Sequence, residues 1–195
     1  MSKRQDLKKE EKAKIIKKQE KKAAQKKFLK DFIPLISAVL LWVITLSLLH
    51  LPSIKNEVQY FFTNFTINST LLVGKLLFIP IQSHNFPNIT VDGFTMKVVM
   101  ECTAYNFYIF VIYLSLLSPV KFKQRMITLV IFLGAVFIVN NLRFIILGYI
   151  GQHSASVFHF LHDYLWNILF GLMVFIIWAW RYGGFESVKN EMKDN

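Results

Sequence analysis

Four stretches of almost uninterrupted apolar residues divide the chain. The first runs from about Phe32 to Leu51 (FIPLISAVLLWVITLSLLHL) and stops at Pro52. The others cover about Ala104–Leu117, Met126–Leu147 and Val157–Trp180. A helix needs about 20 apolar residues to cross a hydrocarbon core of about 30 Å, so these stretches predict four membrane-crossing helices. Residues 56–79 follow another rule. Val58, Phe61, Phe62, Phe65, Leu72 and Leu76 recur at helical spacing, with Gln59, Thr63, Asn64, Thr66, Ser69 and Thr70 on the opposite side. That pattern predicts an amphipathic helix lying in the interface rather than a fifth span. A third pattern follows: Asn88–Val91 and Phe94–Val99 are rich in Val, Ile and Thr, roughly alternate, and flank Asp92-Gly93. This is the signature of a tight β-hairpin, expected outside the bilayer and leading directly to Glu101-Cys102.

Composition agrees. Hydrophobic residues make up 54% of the 195, phenylalanine occurs 19 times, and mean hydropathy is +0.40. One soluble core of this size could not hide so much apolar surface. The expected class is an all-α integral membrane protein: four transmembrane helices, an interfacial amphipathic helix and a small extracytoplasmic β-hairpin.

Charge sets the orientation. Residues 1–30 hold 13 Lys/Arg against 4 Asp/Glu, which places nine of the eleven net positive charges in that tail. The loop Lys121–Arg125 is also basic and short. Both belong on the cytoplasmic side, and the count of crossings is consistent only if residues 56–79 do not cross. The chain then divides into a basic cytoplasmic tail (1–30), a membrane domain (31–182) and a cytoplasmic C-terminal tail (183–195). The tail is too long for a signal-peptide n-region and no small-x-small site follows the first span, so that span is read as an uncleaved anchor. The tail is dominated by lysine and carries almost no aromatic residue. This suits anionic lipid headgroups rather than nucleic acid, which is not expected as a partner.

With that topology, residues far apart in sequence arrive at one depth on the outer side. Cys102 opens the second span, Arg143 lies about one turn from the outer end of the third, and His159 and His162 lie in the first turns of the fourth. The single cysteine cannot form an internal disulfide. Alone it would be a small buried hydrophobe; at a helix start beside Glu101 and Thr103, the dipole favours a thiolate nucleophile. Arg143 interrupts an apolar run, where an arginine costs about 2.5–3.5 kcal/mol at mid-span. It either snorkels to outer headgroups or faces inward. Asn140, three residues earlier on the same face, favours inward, where a guanidinium can stabilise an oxyanion. His159 and His162 are either interfacial or one of them is a general base, oriented by the other or by Asp163. A metal set of His153, His159, His162 and Asp163 lacks any established spacing, and no cofactor-binding motif is visible.

Taken in order, Glu101-Cys102-Thr103-Ala104, Asn140-Asn141-Leu142-Arg143 and His162-Asp163-Tyr164-Leu165-Trp166 resemble the exosortase/archaeosortase family of membrane-embedded cysteine transpeptidases. Family members carry Glu-x-Cys-Ser-Gly-like, Asn-x-x-Arg and His-Asp-x-x-x-Trp-like segments. The resemblance covers about residues 70–181. It implies a nucleophile at Cys102 with Arg143 and His162 completing the site; Glu101, Asn140, His159 and Asp163 are supporting candidates by their positions beside these residues. It also implies substrates with a C-terminal sorting signal (short motif, hydrophobic span, basic end), cut before the span and passed to a surface acceptor. The chain departs from the pattern: Glu101 abuts Cys102, Ala104 stands where the family has glycine, Trp166 comes one residue early, and full-length members carry further N-terminal spans. The alternative expectation is a non-catalytic exosortase-like adaptor of a surface-export system. Acid-phosphatase-type and rhomboid-type chemistry each lack their accompanying motifs.

Overall fold

The computed structural model describes residues 33–181, together with Gln19 and Lys22. The rest of the basic tail and residues 182–195 lie outside the described residues. The first apolar stretch forms α1 (Ile33–Leu49). The segment after Pro52 turns into α2 (Lys55–Leu76), followed by strands β1 (Ile81–His84), β2 (Asn88–Val91) and β3 (Phe94–Lys97). A 3₁₀ turn at Met100–Thr103 precedes α3 (Tyr105–Leu117) and α4 (Phe122–His153). The last apolar stretch is α5 (Ala155–Phe160), a π-helical turn (Leu161–Leu165) and α6 (Trp166–Arg181).

Local chemistry accounts for the breaks. Ser118 precedes Pro119 and is held extended (φ −62°, ψ 138°), which ends α3. Arg125 Nε then donates to Val120 O at 3.0 Å, folding the basic loop onto the first turn of α4. Helix α4 therefore starts earlier and ends later than the apolar run alone indicates. At its far end Ser154 leaves the helix (φ −157°) and its Oγ accepts the N–H of Val157 at 3.3 Å, capping α5.

Helix α4, 32 residues long, is long and apolar enough to cross a membrane, whereas α1, α3 and α6 are shorter apolar helices. All of these helices nonetheless turn large apolar side chains outward. Leu40 and Leu48 on α1, Val130 and Ile138 on α4, and Ile168 and Phe175 on α6 are all exposed. Inside, Ala38, Val111, Leu114, Phe132, Val136, Phe170 and Val174 join α1, α3, α4 and α6 in one cluster. Phe107 stacks on Phe170 at 4.7 Å. Arg181 Nε donates to Thr128 Oγ1 at 3.0 Å, so α6 ends where α4 begins, beside Lys121, Lys123 and Arg125. The sheet caps the opposite end.

Helix α2 is amphipathic, as its periodicity predicts, and it is the hydroxyl row that faces the protein. Thr63, Thr66, Ser69 and Thr70 are buried, while Phe61, Leu72 and Leu76 are exposed. The cause lies on α4. Asn141 Oδ1 accepts from Ser69 Oγ at 3.0 Å and Thr70 Oγ1 at 2.9 Å, and its amide donates to Phe137 O at 2.7 Å. A buried amide needs such partners, and the hydroxyl row supplies them. Phe62 packs on Tyr105, the first residue of α3, and Gly74 packs on Ile81 of the sheet. Both halves of α2 thus lie at the sheet end of the bundle.

The hairpin is found where Asp92-Gly93 places it, both residues at positive φ (46° and 89°). The sheet has a third strand, however: β1 pairs antiparallel with β2, Ile81 opposite Val91 and His84 opposite Asn88. Residues Ile81–His84 hold one aliphatic side chain and give no strand signal alone; β2 supplies the ladder. Ile89, Val91 and Met96 point inward with Ile67, Phe144 and Cys102, forming a second core under the sheet. The sheet lies close on α4 because Gly148 faces Val91 and Gly151 faces Phe94 with no side chain between.

A side chain at Gly148 would meet Val91 directly. Gly148→Val is expected to cost about 1–3 kcal/mol by overpacking, seen as a lower midpoint of thermal unfolding in detergent. Gly134→Ala, on an open part of the same helix, should match wild type or exceed it.

Candidate active site

Cys102 reaches its position through a change of backbone type. From β3 the chain stays extended to Val99 (φ −103°, ψ 164°) and then tightens into the Met100–Thr103 turn. Cys102 N donates to Val99 O at 2.9 Å and Thr103 Oγ1 to Met100 O at 2.8 Å. Ala104 then takes the left-handed conformation (φ 54°, ψ 18°) before α3 begins. Cys102 therefore sits in its own turn, just before the helix rather than in its first turn. Its side chain is 2% exposed.

His162 comes from the opposite side, out of the π-helical turn. Such turns widen a helix and shift the direction of the side chains it carries. Here Nε2 of His162 lies 2.9 Å from Sγ of Cys102. When Nδ1 carries the ring hydrogen, Nε2 can take the thiol proton directly. The imidazole stacks on Phe158, one turn earlier, with centroids 5.6 Å apart and planes at 16°. Phe158 in turn packs against Phe94 of β3 at 5.4 Å.

Arg143 is 4% exposed and points inward. Its Nη2 donates to the carbonyl oxygen of His162 at 3.2 Å, tying α4 to the turn that holds the imidazole. Asn140, on the same face, is 3% exposed, and its Oδ1 accepts no hydrogen bond among the described residues. Cys102, His162 and Arg143 are thus brought together. Glu101 is exposed on the turn beside Cys102. His159 is exposed and meets the edge of Phe158 (82°) rather than Cys102. Asp163 lies in the π-helical turn, its side chain outside the described residues. His153 is turned back onto its own helix, with Nδ1 2.8 Å from Tyr149 O.

A cleft of about 440 Å³ opens between β3 and α5 and ends at His162; Phe94, Thr95, Lys97, Val99, Phe158 and His159 line it. Sequence reasoning overlooked Phe158, Phe94 and Thr95. The i, i+4 spacing of Phe158 and His162 was the readable signal for the first; the others acquire a place only through the sheet.

A family model described as Transmembrane exosortase (Exosortase_EpsH) matches residues 24–179, most of the chain. The chain belongs to the exosortase family. No curated protein and no solved structure matches it. The match reaches beyond the three motifs to take in α1 and α2. Membership makes it a membrane protein of a family of cysteine transpeptidases.

The stacked phenyl ring predicts a measurable effect on the thiol. Phe158→Ala frees the imidazole to leave Sγ, and alkylation of Cys102 by iodoacetamide should slow towards the rate seen in His162→Ala. Alkylation at the wild-type rate in Phe158→Ala would show that the ring does not hold the imidazole.

Proposed function

We propose that this exosortase is a cysteine peptidase and transpeptidase acting on C-terminal sorting signals of exported proteins at the outer membrane face. The observation that carries the reading is the 2.9 Å approach of His162 Nε2 to Cys102 Sγ, with a buried arginine bonded to the same histidine residue. A thiol and an imidazole at that distance form a nucleophile–base pair.

The chemistry balances with these groups alone. Cys102 gives its proton to His162 Nε2, and Sγ adds to the carbonyl carbon of the scissile peptide. The tetrahedral intermediate places negative charge on the former carbonyl oxygen, and the Arg143 guanidinium stabilises it. The C–N bond breaks, the leaving amine takes the proton from His162, and a thioester remains on Cys102. An amine, a lipid headgroup or water then gives its proton to His162 and attacks the thioester. The bond to sulfur breaks and the thiol is restored. Arg143 also positions the base through the His162 carbonyl.

In this reading α1, α3, α4 and α6 cross the membrane with both termini cytoplasmic. The grouping of Lys121, Lys123, Arg125 and Arg181 at one end of the bundle, with the sheet at the other, supports that orientation. Helix α2 lies at the outer boundary and the basic tail meets anionic headgroups. An apolar groove of about 430 Å³ between α4 and α6, lined by Leu142, Ile146 and Trp166, suits the hydrophobic span of a sorting signal.

The test compares cell-surface and membrane proteomes of the native host carrying wild type, Cys102→Ala or Arg143→Lys. Proteins that keep a hydrophobic, basic-ended C-terminal tail should accumulate with Cys102→Ala. Arg143→Lys should slow processing about 10²–10³-fold, as for loss of an oxyanion donor. Matching proteomes for wild type and Cys102→Ala, with a phenotype only on full deletion, would make Cys102 structural and the protein an adaptor.

A further inference from the structure

The sheet ends in two edge strands, β1 and β3, and it is the β3 edge that borders the cleft. At β1, Ile81 packs on Gly74 of α2. At the other side, β3 pairs only with β2 in the order β1-β2-β3.

The register decides which groups β3 leaves unused. The two-residue Asp92-Gly93 turn closes on Val91 and Phe94, which therefore exchange both ladder hydrogen bonds. In an antiparallel ladder such pairs alternate with pairs whose N–H and C=O point the other way. Met96, opposite Ile89, again faces β2, and so does Val98, whose N–H donates to Pro87 O at 3.0 Å. The intervening residues are Thr95 and Lys97. The Thr95 hydroxyl lies 2.8 Å from that of Thr90, as expected where the backbones approach without ladder bonds. The N–H and C=O groups of Thr95 and Lys97 thus point away from β2, and both residues line the cleft that ends at His162. An open edge is a template for another strand, and this one runs to within a short extended segment of Cys102.

We propose that the segment of the substrate immediately before its scissile bond binds as a fourth strand on β3, pairing its backbone with Thr95 and Lys97. This rests on the peptidase reading above and adds how the peptide is held. Strand addition takes up backbone groups irrespective of side chain. It leaves sequence preference to the walls, where Phe158 and His159 face the added strand from α5. A neighbouring strand lies about 4.8 Å away, which sets the substrate between β3 and the imidazole. It also presents a peptide in the extended form that exposes a carbonyl to Sγ.

Two variants of the full-length protein in the native host test this, read on the tail-bearing surface proteins that accumulate with Cys102→Ala. Proline is tolerated in an edge strand where its N–H would face outward. Thr95→Pro removes one outward donor without removing a ladder bond, and Thr95→Ala keeps that donor. Processing with Thr95→Pro should fall at least about threefold below that with Thr95→Ala, the worth of one backbone hydrogen bond. Alkylation of Cys102 by iodoacetamide reports whether the site of Thr95→Pro is intact. Independently of that fold, benzoylphenylalanine at position 97 in the Cys102→Ala protein should crosslink to the residues just before the hydrophobic tail. The same probe at Ser83, on β1, should not. Equal processing by an intact Thr95→Pro, or crosslinks from 97 no stronger than from 83, overturns strand addition while the peptidase reading stands. If no tail-bearing proteins accumulate with Cys102→Ala, both fall together.

Discussion

A guanidinium inside an apolar bundle constrains everything around it. Arg143 is almost fully buried, and so are Asn140 and Asn141 on the same stretch of α4. Groups of this kind are expensive away from water unless their hydrogen bonds are made. The Asn141 amide turns the hydroxyl face of α2 inward, and Arg143 draws in the carbonyl of His162. The polar row on one helix thereby fixes both α2 and the turn that presents the imidazole. The two apolar clusters lie on either side of this polar layer, one among the helices and one under the sheet.

Much of the site could be read from the chain because topology does the arithmetic. Segments that reverse direction bring alternate ends together, so Cys102, Arg143 and His162 converge at the sheet end despite their separation in sequence. The Asp92-Gly93 turn fixes the hairpin register with no help from the rest of the fold. The inward direction of Arg143 followed from Asn140 three residues away. Other features depend on neighbours the sequence does not display. Strand β1 exists because β2 offers a ladder, not because Ile81–His84 alternates. The periodicity of α2 shows two faces but not which is buried, since in a lipid-facing protein the apolar face can turn outward. The choice between His159 and His162 depended on a π-helical turn, and no residue in Leu161–Leu165 announces one.

The departures from the family motif gain a physical meaning at Ala104. The chain must pass from the 3₁₀ turn of Cys102 into α3, and it does so through a left-handed residue. Glycine adopts that conformation without strain, whereas an L-residue pays roughly 1–2 kcal/mol. The family's glycine therefore suits the backbone at this point. In this chain a methyl group occupies it instead, 2% exposed and packed in the helical core. Burial of that methyl offsets part of the cost, and the turn geometry is kept.

The burial of Cys102 bears on the fate of an acyl group attached to it. In the peptidase reading, a thioester on Cys102, a residue that is 2% exposed and packed under the sheet, would be walled by protein on most sides. Its lifetime would then be governed by which nucleophile, water included, travels along the cleft to the imidazole. In that reading, the ratio of conjugated to merely trimmed product would then be set by the packing along one cleft.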